Sequence, residues 1–377
     1  MMADNQADVL TAIPLVDLKA AHPEVAAEIE AGFEDIISST AFIKGEAAAA
    51  FEREYAAFTG VAHCVGVGNG TDALELALRA AEVPAGSEVI MPANTFVATA
   101  EAVVRAGARP AFADVDPDYL LLDPAKLKAA LTGQTWGVIP VHLFGQMAPM
   151  ADVADSVARE TVIVEDAAQA HGATQDGRPA GSFGLLAGVS FYPGKNLGAY
   201  GDAGAVLTES AEHARRVRLL GDHGSERRYE HETIGFNSRL DGFQAVVLRA
   251  KLRRLAAGNL ARQRAADTYA ELLADVPEVT LPQAAPGNEH VWHLYTIRVP
   301  QRDHVLSFLQ AERIYAGIHY PVPVHLQPAF RYLGYGPGDF PVAEAAAEQL
   351  LSLPLYPQIT REQQERVADA VRRALRG

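Results

Sequence analysis

The sequence predicts an α/β fold: a large, mainly parallel sheet domain covered by helices, with a smaller C-terminal α/β domain. Three observations predict it. Short apolar runs alternate with helix-length amphipathic segments from residue 61 to 165, the pattern of a parallel sheet covered on both faces. Two more apolar runs, 186–191 and 205–208, follow closely enough to add an antiparallel element. Beyond Leu240 a long helical pattern (Phe243, Val246, Val247, Ala250, Leu252, Leu255) leads into a shorter strand-and-helix set, and the domain boundary is placed within it.

In chain order, residues 1–12 read as a loose tail. Over 23–37, Val25, Ile29, Phe33 and Ile36 or Ile37 share one helical face, and Phe51, Tyr55 and Phe58 repeat the pattern. Strands are then expected at 61–67, 88–91, 110–114, 138–142 and 161–165. Helices are expected between them at 71–81, 96–106, 124–131 and 150–159. After the long helix come a strand at 291–299, a helix at 302–312, a proline-rich loop at 320–328 and two terminal helices. The division is a tail at 1–12, a large domain at 13–250 and a small domain at 251–377. Arg249, Lys251, Arg253 and Arg254 read as a solvated helix face.

The chain has 377 residues, 49% of them hydrophobic and 21% charged, enough for a substantial core. A net charge of −15 repels nucleic-acid phosphates and argues against such a partner. Cys64 is the single cysteine, so no intrachain disulfide or thiolate metal cluster forms. The first twelve residues carry acids and no apolar stretch of signal-peptide length, and no run reaches membrane-spanning length. A cytoplasmic protein with no membrane partner is expected. The histidines lack paired metal-ligand spacing, so no metal is expected.

Three motifs carry chemistry. In Gly66-Val67-Gly68-Asn69-Gly70-Thr71-Asp72 a strand ends in glycines and a helix begins, which aims free N–H groups and the positive helix end at one point. That arrangement binds phosphate. It is not the dinucleotide fingerprint, whose third glycine position holds Thr71; a tight turn capped by Thr71 or Asp72 is the alternative. In Val162-Ile163-Val164-Glu165-Asp166-Ala167-Ala168-Gln169-Ala170-His171-Gly172, carboxylates stand where a strand ends, to hold a proton on a ligand or to cap a helix. In Ser190-Phe191-Tyr192-Pro193-Gly194-Lys195-Asn196-Leu197-Gly198 a strand delivers one lysine into a glycine-rich turn, where desolvation favours its neutral, nucleophilic form. The spacing is wrong for a phosphate-binding P-loop, and Asn196 replaces its Ser/Thr.

Pyridoxal phosphate (PLP) accommodates all three. It needs a lysine for its aldehyde, an acid for its ring nitrogen, a phosphate cradle and a flat side chain over the ring. The order here is Gly70 and Thr71, then Phe96, Asp166 and Lys195.

At these residues the sequence resembles the fold-type I aminotransferases of the nucleotide-sugar (DegT/DnrJ) type. The resemblance runs from Ile13-Pro14-Leu15-Val16-Asp17-Leu18 to the terminal helices and includes Asn237-Ser238-Arg239-Leu240-Asp241. It implies Lys195 as the PLP lysine and Asp166 on the ring nitrogen, with Gln169 beside the phenolic oxygen. Ser190, Gly70 and Thr71 would hold the phosphate, and Phe96 would stack on the ring. Asn237 would reach the cofactor phosphate of the other subunit, so a homodimer with shared active sites is implied. The donor implied is L-glutamate, passing its amino group through pyridoxamine 5'-phosphate to a nucleotide-linked keto-sugar in amino-sugar biosynthesis.

Two departures matter. Asn69 stands where many relatives have Ser, and Tyr192 where many have His before Pro193-Gly194-Lys195. With His319-Tyr320-Pro321-Val322-Pro323-Val324-His325, the second resembles the branch aminating C3 of 6-deoxyhexoses; C4 of a hexose or pentose is the alternative. Tyr192, Tyr229, His231, His319, Tyr320 and His325 match positions lining the sugar pocket, against an alternative of interface packing. Arg228 is matched to the diphosphate. A dehydratase would carry histidine in place of Lys195. A catalytically silent PLP-binding regulator is the reading of a different class.

Overall fold

A computed structural model describes residues 11–376 of the chain; of the expected N-terminal tail, residues 1–10 lie outside them. Helices α1 (Ala26–Ser39) and α2 (Gly45–Thr59) lead into β1 (His63–Val67) and α3 (Gly70–Ala80). Then β2 (Glu88–Pro92), α4 (Val97–Arg105), β3 (Arg109–Ala113), α5 (Pro124–Ala130), β4 (Thr135–Val138), α6 (Met150–Ser156) and β5 (Val162–Asp166) alternate. The short β6 (Thr174–Gln175) and β7 (Arg178–Pro179) precede β8 (Leu186–Ser190), β9 (Gly204–Thr208) and α7 (Ala211–Gly221). The 32-residue α8 (Gly242–Leu273) follows, about 48 Å long at 1.5 Å per residue. Last come β10 (Asn288–Glu289), β11 (Tyr295–Arg298), α9 (Arg302–Ala311), α10 (Pro341–Gln349), β12 (Leu350–Leu353) and α11 (Arg361–Arg376).

Seven strands form one sheet in the order β1-β9-β8-β5-β4-β2-β3. From β8 to β3 the neighbours run parallel, as the alternating helices require. The expected antiparallel element is β9, which pairs with β8 on one side and β1 on the other. Register matters here: Asp166 lies opposite Gly188, and Ser190 opposite Gly204, so β8 runs two residues past the end of β5 to the level at which β9 begins. That level is the carboxyl edge of β5 and β8, where open α/β sheets bind ligands.

Apolar side chains clamp the sheet from both faces. On one, Leu74, Leu76 and Leu78 of α3 and Val103 of α4 pack on Val65, Met91, Val164 and Val206. On the other, Phe51 and Tyr55 of α2 meet Phe191 edge-to-face at 5.3 and 5.2 Å, beside Val189 and Leu248. Phe191 is thereby fixed four residues before Lys195. A separate core gathers Tyr269 and Leu273 of α8 with β11, β12, α9 and α11. No helix among the described residues is long and apolar enough to cross a membrane.

Two expectations need correction. The strand expected at 138–142 is β4 at Thr135–Val138: Pro140 has no N–H, so the ladder gives way to single bonds. Ile139 N–H reaches Ile90 O, and the N–H of Asp166 reaches Pro140 O. The basic stripe on α8 is only partly a solvated face: Arg253 is exposed, yet all four side chains also make bonds to neighbouring elements. Arg249 grips Glu54 of α2, Arg253 and Arg254 share Glu28 of α1, and Lys251 Nζ donates to Gly198 O at 2.7 Å. The stripe seats α8 against both N-terminal helices and the lysine turn.

Candidate active site

The acid is built first, by long-range pairing. Asp166 ends β5 and is buried; its Oδ2 accepts from Thr99 Oγ1 at 2.8 Å and its Oδ1 from the Ala168 N–H at 3.2 Å. No helix starts there, so the capping alternative falls away. Thr99 is fully buried on α4 and pairs with Thr95 at 2.8 Å, one turn back on the same face. Glu165, its neighbour, points the other way and does structural work. Oε1 accepts from the N–H groups of Phe183 and Gly184, and Oε2 from that of Gly181 and from His142 Nε2. Ala148 N–H donates to His142 Nδ1, so the proton of this neutral ring sits on Nε2. Despite complete burial, these donors hold the Glu165 carboxyl below its usual range.

The lysine turn closes on itself. Lys195 N–H donates to Tyr192 O at 2.8 Å, and Ala199 N–H to Phe191 O at 2.8 Å. Gly198 lies so close under Pro193 that a Cβ there would sit 2.3 Å from the Pro193 oxygen. No other residue type fits without opening the turn. A cavity of about 320 Å³ opens on the α8 side, lined by Lys195, Asn196, Asn259, Asp17 and Tyr356. Asp166, Gly70 and Ser190 do not line it.

The phosphate motif sits beside the lysine strand. Asn69, not Thr71 or Asp72, caps α3: its Oδ1 accepts from the Asp72 N–H at 2.8 Å. The N–H groups of Gly70 and Thr71, at the first turn, have no helical acceptor. A Cβ on Gly70 would stand 2.5 Å from Ser190 Cβ, so glycine lets the helix end and the end of β8 touch. Phe96 is half exposed, and its ring lies 5.2 Å from that of Tyr320. Gln169 is buried; its Oε1 accepts from the Phe144 N–H at 2.6 Å, and its Nε2 donates to Tyr320 Oη at 3.1 Å.

Thus the fold brings together Gly70 with Ser190, Asp166 with the lysine turn, and Gln169 and Phe96 with Tyr320. His319 stands beside Tyr320, rings 5.5 Å apart, and its Nδ1 lies 2.9 Å from the Ser352 hydroxyl. Tyr192 is largely exposed beside the turn. Arg228, Tyr229 and His231 lie on an exposed loop, with the guanidinium 4.9 Å from the Tyr229 ring and His231 Nδ1 on His223 O. Asn237 is exposed and bonded to Arg239. None of these bonds reaches Lys195 or Asp166. His325 is buried against Phe340 and 3.1 Å from Glu344. Sequence reading missed Thr99, Thr95 and Asn259; the four-residue spacing of the two threonines after the 88–91 strand was the available signal.

A protein-family model, the DegT/DnrJ/EryC1/StrS aminotransferase family, matches residues 23–372. The chain belongs to this family. It is 46% identical over 368 residues to a UDP-N-acetyl-3-dehydro-α-D-glucosamine 3-aminotransferase of Acidithiobacillus ferrooxidans, covering 97% of this chain and 99% of that protein. It is 43% identical over 362 residues to a pleiotropic regulatory protein of Geobacillus stearothermophilus, covering 95% and 97%. The crystal structure of S. venezuelae DesV with a ketimine intermediate superposes with a TM-score of 0.94 at 44% identity, covering 97% and 98%. Family membership brings the fold-type I architecture and a dependence on PLP.

The electrostatics suit that cofactor. Burial lowers the Lys195 pKa to about 8, against the opposing pull of Asp166. The imidazoles around it stay neutral. Burial, then the lysine charge, takes His171 to about 3 and His319 to about 4, and drives His293 well down. Burial and then Asp166 push the Tyr320 phenol up. An amine whose pKa is lowered toward neutrality, a fixed carboxylate and a helix N-terminus against a serine fit an aldehyde, a ring nitrogen and a phosphate in turn.

Proposed function

We propose that this aminotransferase moves the amino group of L-glutamate to C3 of a nucleotide-linked deoxy keto-sugar. The observation that carries the reading is the convergence of Lys195, Asp166 and the Gly70–Ser190 contact on one sheet edge in a chain of this family. The choice of C3 is supported by the 3-aminotransferase at 46% identity.

In this reading Lys195 would hold PLP through its aldehyde and Asp166 through its ring nitrogen, with Thr99 orienting the carboxylate. Gly70, Thr71 and Ser190 would hold the phosphate, Phe96 would pack on the ring and Gln169 would serve the phenolic oxygen. Bound there, PLP supplies an electron sink for the charge left when a C–H proton departs. Once the donor's amine has displaced it from the aldehyde, Lys195 Nζ is a free amine that can take the proton from the donor Cα and deliver one to the sugar carbon, work for which a pKa of about 8 suits it. Tyr320 keeps Gln169 in place and excludes water from that side. Tyr192 and His319 border the sugar. Arg228, Tyr229, His231 and Asn237 serve the partner's site in a homodimer, consistent with their exposure and their lack of bonds to this chain's own lysine. Residues 13–250 and 251–377 act as large and small domain, and the enzyme works in the cytoplasm beside its nucleotide-linked substrate.

The test is spectroscopic. Glutamate should abolish the visible band of the PLP-loaded protein, and the amine form should then react with a 3-keto but not a 4-keto nucleotide sugar. A band untouched by any amino donor would favour the silent regulator, the role in the name of the Geobacillus relative. Reaction with the 4-keto sugar alone would move amination to C4.

A further inference from the structure

We propose that Asn259, in the interior of α8, is a positioning residue that sets the place of Lys195 relative to the loop carrying Asp166 and Gln169. The inference rests on the aminotransferase reading of Lys195. Asn259 spends both ends of its amide on the two catalytic segments. Its Oδ1 accepts from Asn196 Nδ2 at 3.0 Å, and its Nδ2 donates to His171 O at 2.8 Å. Asn196 follows Lys195 directly, and His171 comes two residues after Gln169. Asparagine is a poor residue for a helix interior, so helix propensity does not explain its presence.

The lysine turn is rigid within itself, closed by Gly198 under Pro193 and by the bond from Lys195 N–H to Tyr192 O. Such a turn moves as a body, and its outside attachments decide where the amine points. Beside the bond from Lys251 Nζ to Gly198 O, Asn196 makes three of those attachments: to Asn259, to Val291 O at 2.9 Å, and to His293 Nδ1 at 3.3 Å. Asn259 is the one that also grips the acid loop. It lines the cavity on the α8 side together with Lys195 and Asn196. Removing its amide therefore loosens the turn and admits water from that cavity toward the amine.

Water at the amine has a readable consequence. Around Lys195 stand Asp166, which favours its charged form, and His171, His293 and His319, which are neutral, while Asp17, Glu24, Lys251, Arg254 and Arg262 line the same cavity. With those groups unchanged, better solvation of the ammonium raises its pKa.

The experiment uses the full chain without cofactor, as wild type, Asn259→Ala, Asn196→Ala and the double variant. Each is treated with a trace amine-acylating reagent from pH 6.5 to 10.5, with Lys195 modification read by peptide mass spectrometry and Tm measured alongside. The wild-type midpoint should fall near 8. Asn259→Ala should raise it by about one pH unit, and the double variant should shift less than the sum of the single shifts, because the two side chains act through one bond. An unmoved midpoint in Asn259→Ala, whatever the change in Tm, overturns the proposal, as do additive shifts. Should the alanine variant fail to unfold cooperatively, Asn259→Ser is read in its place by the same criterion. PLP is added to wild type in parallel. A protein that forms no visible band refutes the reading of Lys195 itself; one that forms the band with an unmoved variant midpoint refutes only the role of Asn259.

Discussion

Replacing Glu165 by glutamine tests how the acid strand is held. The carboxylate accepts four hydrogen bonds, two on each oxygen, and is completely buried. An amide keeps one oxygen and its two bonds but turns an NH2 group toward two other donors. Losing two bonds to a charged acceptor costs about 1.5–3 kcal/mol each before relaxation. Breaking a buried charged network costs about 3–5 kcal/mol as measured elsewhere, so we expect Glu165→Gln to lose about 4 kcal/mol. Urea unfolding of the cofactor-free protein, with the midpoint read by tryptophan fluorescence, measures this. Because Asp166 is the next residue, weaker PLP retention should accompany the loss. The linkage has a definite sign. The folded pKa of Glu165 is lowered, so its stabilisation is present above the ordinary carboxylate value and fades as pH falls through the folded one. The gap between wild type and Glu165→Gln should therefore narrow in acid. A loss under about 1 kcal/mol at neutral pH refutes the idea that these four bonds hold the strand end.

Three further outcomes are expected. Thr99→Val, an almost isosteric change, should weaken PLP binding about tenfold by removing the hydroxyl that orients Asp166, since a hydrogen bond to a charged group is worth about 1.5–3 kcal/mol; equilibrium titration of the cofactor checks it. PLP uptake by the cofactor-free protein should slow about tenfold per pH unit below 8, because Lys195 becomes protonated there; stopped-flow absorbance from pH 6 to 9 reads the slope. In a mixture of inactive Lys195→Ala and Asn237→Ala homodimers, subunit exchange should restore activity if sites are shared, and a mixture that stays inactive after confirmed exchange removes Asn237 from the partner's site.

What sequence reading reached was whatever lies along the chain. The strands around Asp166 and Lys195 announce themselves by apolar runs of strand length, and the glycines around Lys195 by their density. The turn from β1 into α3 was readable because glycine, asparagine and threonine follow one another at a helix start, although the cap proved to be Asn69. What it missed depends on partners far away in sequence. Thr99 finds Asp166 across 67 residues, and Glu165 finds its donors on the loop at 181–184, so its burial was hidden beside an equally plausible Asp166. The arginines of α8 look solvated until Glu28 and Glu54 are folded against them. His325 sits in a motif of site residues, yet the following backbone turns it into the aromatic cluster around Phe340.

The neutral ring nitrogens around Lys195 leave the site with a very small proton inventory. With His171, His293 and His319 silent through the physiological range, the amine can exchange a proton with substrate without three imidazoles buffering it. In the proposed reaction a proton lifted from one carbon would then be carried to the next, not shared among those rings. Transfer of isotopic label from donor Cα toward the accepting sugar carbon should depend on how fast that single carrier exchanges with bulk water.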